Sequence, residues 1–272
     1  MLAKKLREAR YAAIDIETTG INFGHDRICE IGIVVWEEGH KLLEFGTLVN
    51  PEHKISKISF KVHGITDEMV EKAPKFHEIA PRVSELLENT VIVGHNLTAL
   101  DISFVNKELR YAGQHPVFNT FIDTYRIARK MFPTLKKNSL RNFALMLGIK
   151  VRETHRALPD ARLAMKVWIK LMERFKALGI ETFQDMAELG LLNSKMKPKV
   201  REVFELAKET GLVRIVYQSP YSGRTVRIIE PLAARGGKID AYCYLRKDFR
   251  TFDINRILKV EPVSTLSPSH KL

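Results

Sequence analysis

Four acidic residues stand out by where they sit in this 272-residue chain. Asp15 and Glu17 lie two apart in the apolar run Tyr11–Thr18 (YAAIDIET). Residues i and i+2 of a strand face the same side, so the two carboxylates converge while Ile16 points to the opposite face. Like charges repel and burial adds desolvation, so the pairing is costly unless a divalent cation neutralises it. Hard carboxylate oxygens suit Mg²⁺ or Mn²⁺ rather than Zn²⁺. The bland reading is a pair of acids on an edge strand, which the apolar flanks oppose. Asp101 opens an expected helix just after the run Thr90–Gly94 (TVIVG), and Asp160 falls in the first turn of a long helix expected from about Pro159 to Leu178. Either could simply complement the positive end of a helix dipole. His155 precedes Asp160 by five residues. On one helix the two would point about 140° apart, but Pro159 marks the helix start. That leaves His155 on the preceding loop, where its imidazole can fold back over the same cleft. Each residue alone has an ordinary explanation, and the whole set together is what points to a metal-bearing site.

Such a set needs elements that bring distant stretches together. Tyr11–Thr18, Ile28–Trp36 and Lys41–Val49 read as strands, and the short turns between them favour antiparallel neighbours. Pro74 and Pro81 punctuate the next stretch, and Ala80–Leu87 reads as a helix. Thr90–Gly94 is a short buried strand, Leu100–Tyr111 has helical spacing, and Phe118–Ile122 is another strand. Helices follow near Thr124–Met131 and Ser139–Leu147, and Gly179 stops the long helix after them. Three strands followed by alternating helix and strand give an α/β fold, a mixed sheet flanked by helices. Leu189-Gly190, Asn193 and Pro198 mark residues 181–198 as a linker with a short helix, and Lys199–Lys208 reads as helical. From Leu212 the period becomes two. LVRIVYQ, RTVRIIEPL, DAYCYL and RTFDINRI are four strand-like runs separated by SPYSG, ARGGK and RKDF, a small all-β unit. The expected organisation is a first domain over residues 1–180, a linker with a helix over 181–210, and a β domain over 211–265.

The motifs DIETTG at 15–20, HGIT at 63–66, GHN…D at 94–101, DT at 123–124 and H-x4-D at 155–160 occur in one order. Over about residues 9–178 the chain resembles the DEDDh-type 3′–5′ exonucleases, the group containing the proofreading epsilon subunit of bacterial DNA polymerase III. The resemblance implies a ribonuclease H-like fold and hydrolysis of phosphodiester bonds at 3′ ends. It also implies two divalent ions, Mg²⁺ or Mn²⁺, about 3.5–4 Å apart. It further implies that Asp15, Glu17 and Asp160 hold the ion orienting the attacking water and that Asp15 bridges to the second. Asp101 would act directly or through water, and His155 as the general base. Thr18, Gly20, His63 and Asn96 are the implied substrate contacts, although His63 reads equally well as a surface histidine. The chain departs from the family at one place. The His–Asp step of the second motif is usually five residues with Phe before the Asp; here His95 to Asp101 is six, and Leu100 replaces the Phe.

Charge divides the chain. Lys and Arg number 44 against 32 Asp and Glu, a net of +12, and residues 190–272 carry +8 of it. The excess fits a nucleic-acid partner. A hydrophobic fraction of 45% excludes a mainly disordered chain. No apolar run reaches the roughly 18 residues of a spanning helix, so no membrane partner is expected. The stretch MLAKKLREARY has no apolar core of a secretory signal, and two cysteines, Cys29 and Cys243, are too few for a disulfide framework or a tetrahedral zinc site. A reducing cytoplasm is the expected location.

Within Leu212–Val263, R-x-I-E-P at 227–231, Y-C-Y-L at 242–245 and R-T-F-D-I-N-R-I at 250–257 are similar to the WYL domain, with Tyr242 in place of the family's Trp. This resemblance implies a small Sm- or SH3-like barrel and a nucleic-acid or nucleotide ligand. Arg246, Arg250 and Arg256, in or beside strands that carry Tyr242, Tyr244 and Phe252, suit phosphate contact with base stacking. The alternative is an aromatic core with a solvated arginine face. The function expected overall is a metal-dependent 3′–5′ exonuclease on single-stranded DNA, releasing 5′-mononucleotides. An RNA-trimming exoribonuclease and a non-catalytic nucleic-acid-binding regulator are the alternatives. Nothing in the sequence fixes an oligomeric state.

Overall fold

The computed structural model describes residues 2–97, 101–133, 135, 138–151, 155–192, 197–235 and 237–263. The chain divides into two compact units, Met1–Ile21 with Asp26–Ser194, and Asn22–His25 with Lys195–Leu272.

The first unit is built on five strands: β1 (Tyr11–Thr18), β2 (Ile28–Glu37), β3 (His40–Leu48), β4 (Val91–Gly94) and β5 (Phe121–Asp123). Their order is β3-β2-β1-β4-β5; β1, β2 and β3 pair antiparallel, and β4 and β5 run parallel to β1. β1 is therefore central, which removes the edge-strand reading of its acids. Its ladder to β4 covers only Tyr11–Ala13, so the half of β1 carrying Asp15 and Glu17 runs past the end of its parallel neighbour. Around the sheet lie α1 (Lys57–His63), α2 (Asp67–Val70), α3 (Phe76–Leu87), α4 (Asp101–Tyr111), α5 (Thr124–Met131), α6 (Leu140–Met146), α7 (Ala157–Ala177) and α8 (Phe183–Glu188).

Two helix starts differ from the sequence reading. The side chain of Glu78 accepts the Lys75 N–H at 2.7 Å, so α3 begins at Phe76 and Pro81 lies inside it. The buried carboxylate of Glu30 accepts the Ala157 N–H at 2.9 Å, so α7 begins two residues before Pro159. From there α7 crosses β1 and β2. Its apolar face buries Ala161, Leu163, Ala164, Val167, Trp168, Leu171 and Phe175, with Trp168 edge-on to Tyr11 at 5.5 Å. A glycine lets α7 come this close. A Cβ on Gly32 of β2 would lie 2.3 Å from the Leu158 nitrogen and 2.4 Å from the Ala157 carbonyl carbon, both backbone atoms.

The second unit holds α9 (Pro198–Ala207) and β6 (Val213–Ser219), β7 (Gly223–Arg235), β8 (Lys238–Cys243), β9 (Asp248–Asp253) and β10 (Ile257–Pro262). All ladders are antiparallel, in the order β10-β6-β7-β8-β9. The run RTFDINRI, expected as one strand, is split by a 3₁₀ turn at Ile254–Arg256 in which Asp253 accepts the Asn255 N–H at 2.9 Å, so the sheet has five strands rather than four. Val200 and Val203 of α9 join Ile215, Ile229, Ile239, Phe252 and Ile257 in this unit's core. Among the described residues no helix is long and apolar enough to cross a membrane. Both cysteines are buried and unpaired.

Replacing Gly32 by Ala should displace the first turn of α7. The expected cost is about 1–3 kcal/mol, as for other overpacked sites, together with weaker Mn²⁺ binding; a melting temperature and titration matching wild type would show that the contact yields freely.

Candidate active site

Asp15 and Glu17 project from the free half of β1 as the alternation requires. One carboxylate oxygen from each of Asp15, Glu17 and Asp160 lies within 4.8 Å of the other two. Asp160 reaches them from the first turn of α7. Its Oδ2 accepts the His155 N–H at 2.9 Å, while its Oδ1 is buried and has no partner among the described residues. Asp101 stands outside this trio, at the first residue of α4, where the Ile16 N–H of β1 bonds to it. The residues of the lengthened loop, including Leu100, lie outside the described residues.

The four carboxyls strain one another electrostatically. Burial first, then the charges of Asp101, Glu17, Asp160 and Glu30, hold the Asp15 carboxyl well above the ordinary range. Glu17 is pushed up to about 8 by burial, then by Glu30, Asp160 and Asp101. Asp101 rises to about 7, chiefly through burial, against hydrogen bonds from its own backbone and from Ile16. Burial also raises Asp160, opposed by the neighbouring His155. Converging hard oxygens, mutual repulsion and an orphaned buried Oδ1 fit a divalent cation, and nothing in the donor set favours a softer metal.

His155 is exposed and holds a positive φ of 66° on the approach to α7. Its neighbour Arg156 forks onto Glu30 with contacts of 2.6–3.0 Å. Glu30 is 6% exposed and sits directly opposite Glu17 on β2, yet its charge is taken up by Arg156 and the start of α7. The sequence reading did not single out Glu30, Arg156 or Gly32. The available signal was an acid and a glycine two residues apart in an otherwise apolar strand, ICEIG.

Thr18, Gly20 and His63 come together at the end of β1. His63 is buried rather than at the surface. Its Nδ1 accepts the Ile65 N–H at 3.0 Å, which leaves Nε2 protonated to donate to the Thr18 carbonyl at 3.3 Å. Thr18 Oγ1 donates to the Gly20 carbonyl at 2.6 Å, and a Cβ on Gly20 would collide with the Asp26 carboxylate. Thr19 donates from Oγ1 to Asp26 at 3.0 Å. α4 grips the same connection from its second turn. Buried Lys107 donates to the Asp26 carbonyl, and buried Glu108 receives a fork from Arg27 at 2.6 and 2.7 Å. Asn96, with φ of 67°, donates its N–H to Asp123 at 2.8 Å. In the second unit Arg246, Arg250 and Arg256 are exposed, and Arg250 pairs with Asp248 at 3.4 Å. Tyr242 packs edge-on to Tyr244 and Phe249, each at 5.2 Å. Tyr242 pairs with Phe249 and Ala241 with Arg250, so Tyr242 and Arg250 face opposite sides of the sheet and form no common stacking platform.

Raised carboxyls make the cation-free fold pH-sensitive. The folded state holds protons that the unfolded chain has lost, so the contribution of Glu17 to stability falls as pH rises from about 4.5 to about 8. Asp15→Asn should therefore stabilise EDTA-treated protein by a few kcal/mol at pH 8 and far less at pH 4.5; a difference independent of pH in urea melts would contradict the assignment.

Residues 12–168 match the family described as Exonuclease, and residues 199–262 match the WYL domain. The DNA polymerase III subunit epsilon of Treponema pallidum (strain Nichols) is 36% identical over 164 residues, covering 60% of this chain and 76% of that protein. DNA polymerase III PolC-type of Caldanaerobacter subterraneus subsp. tengcongensis is 31% identical over 214 residues, which is 78% of this chain but 15% of that polymerase. Exonuclease X, solved in complex with 5′ overhanging duplex DNA, aligns with a TM-score of 0.51 at 25% identity over 66% of this chain and 98% of that one. The E. coli ExoI–ssDNA complex aligns with a TM-score of 0.59 over 96% of this chain and 66% of that one; at 15% identity this is a likeness of fold. The chain belongs to the DEDD-type exonuclease family, and its nuclease domain is followed by a WYL domain.

Proposed function

We propose that the protein is a metal-dependent exonuclease that shortens single-stranded DNA from its 3′ end and releases 5′-mononucleotides. The observation that carries this reading is the convergence of Asp15, Glu17 and Asp160 around the unpartnered Oδ1 of Asp160. Asp15, Glu17 and Asp160 would hold one divalent ion, and Asp15 with Asp101, directly or through water, a second. When bound, two Mg²⁺ or Mn²⁺ ions supply the positive charge that lowers the pKa of water and stabilises the developing charge on phosphate and leaving oxygen. His155 takes the proton of the attacking water; its exposed position beside Asp160 gives it access to solvent for handing the proton on. The Thr18–Gly20 backbone meets the terminal sugar, where a glycine leaves room for close approach. His63 serves this contact from below by fixing the Thr18 carbonyl, and Asn96 borders the opposite side of the cleft.

In this reading residues 1–180 form the nuclease domain and 181–210 the connector, whose helix α9 packs on the following sheet. Residues 211–265 form the WYL domain, a small barrel that grips nucleic acid or a nucleotide. Tyr242, Arg246, Arg250 and Arg256 contribute from separate faces, and the +8 carried by residues 190–272 supplies attraction that an acidic cleft does not. Two buried thiols suit a reducing cytoplasm.

End-labelled single-stranded DNA and RNA, each with Mg²⁺ and with EDTA, test the reading. Mg²⁺-dependent release of 5′-mononucleotides from 3′ ends of DNA is expected. His155→Ala should lower kcat by about 10²–10⁴-fold with KM little changed; equal turnover in this variant would remove it as the base. Deleting residues 199–272 should weaken DNA binding and flatten its salt dependence while the chemical step survives; an unchanged salt slope would show that the basic unit does not touch the strand.

A further inference from the structure

Arg227 of β7 is only 8% exposed and stands opposite Ile215 of β6, on the face of the sheet that carries its apolar core. A buried guanidinium ordinarily has a carboxylate beside it, because an unpaired charge is expensive to desolvate. Arg227 has none among the described residues. Its Nε donates to Thr225 Oγ1 at 3.1 Å, one Nη approaches Cys243 Sγ at 3.9 Å, and its Cζ lies 5.9 Å from the ring centroids of both Tyr217 and Phe252. The acids nearby by register are committed elsewhere. Asp248 shares this face through its pairing with Cys243, but it accepts the Phe249 N–H at 2.7 Å and faces Arg250 at 3.4 Å. Asp240 is on the other face and accepts the Thr251 hydroxyl at 2.5 Å.

The guanidinium is also reachable. The sealed side-chain nitrogens without a partner among the described residues belong to Arg10 and Trp168, so the remaining N–H groups of Arg227 keep access to solvent. The ladder between β7 and β8 ends at Ile229–Cys243, which leaves Arg227 beyond the last paired residue of β8, level with the turn that carries exposed Arg246 and Lys247. A pre-oriented planar fork, flanked by aromatic rings, a hydroxyl and two further cations, matches an oxyanion with several acceptor oxygens and more than one negative charge.

We propose that Arg227 anchors an anion site at the core-side rim of the C-terminal sheet, and that the group it receives is phosphate. This places the ligand proposed above for the WYL domain at a residue distinct from the exposed arginines, and it stands on the geometry of Arg227 rather than on the nuclease reaction.

The test uses full-length ¹⁵N-labelled protein in EDTA, with the Arg227 Nε–H resonance identified by its loss in Arg227→Lys. The protein is titrated at constant ionic strength with inorganic phosphate, with thymidine 5′-monophosphate, and with a short oligothymidylate lacking a terminal phosphate. A saturable shift of the Arg227 signal is expected, and by calorimetry Arg227→Lys should bind the responding ligand at least tenfold more weakly. A response to the first two only assigns a free phosphate monoester, and a response to the third assigns the backbone of a strand. A signal that none of the three moves overturns the proposal, as does Arg227→Lys binding as tightly as wild type. Loss of nuclease activity on the DNA substrates above would defeat the exonuclease reading and leave this result untouched.

Discussion

The close approach of α7 to β2 is the constraint on which the site depends. Asp160 belongs to a helix and Asp15 and Glu17 to a strand, and the three meet because the first turn of α7 rests on a position with no side chain, Gly32. Contact alone would not set the helix's direction. Glu30 does so by accepting the Ala157 N–H and receiving the fork of Arg156, thereby capping the helix and tying it to the strand beside Glu17. A buried acid within the charge field of the site is thus neutralised by structure. The others are left for a cation.

That division explains the electrostatics. Glu30 has a guanidinium and a helix start as partners. Asp15 has only like charges around it, and Glu17 is pushed up to about 8. The fold holds a repulsion that it does not relieve internally, a local cost sustained by packing elsewhere, above all the Tyr11–Trp168 core beneath α7. Relief comes from whatever positive charge enters the cleft, which links occupancy of the site to the stability of the surrounding sheet.

Local signals exposed much of this in the sequence. The alternation of YAAIDIET put both acids on one face, and the short turns gave the antiparallel β1–β2–β3 order. Hydrophobic period located α4, α5 and α7 to within two residues or so. What was not legible depended on partners far away in the chain. The start of α7 was misread because its cap is a side chain 127 residues upstream. His63 could be read as surface or buried because its burial is set by the end of β1. The aromatic and basic residues of the C-terminal sheet were listed by proximity in sequence, whereas register separates Tyr242 from Arg250 and places Arg227, inside a quoted motif but given no role, among the rings.

The grip of α4 on the β1–β2 connection has a consequence for chain length. Lys107 and Glu108 fasten the helix from its middle, through the Asp26 carbonyl and Arg27, and Ile16 bonds to Asp101 at its first residue. The position of the carboxylate is therefore dictated from downstream and from the strand, not by the segment leading into the helix. The stretch between His95 and Asp101 is relieved of any metric duty, so an added residue there changes the contour of the rim without shifting the acid. In such a scaffold the rim can be lengthened or shortened to reshape what it admits, while the chemistry behind it stays in register.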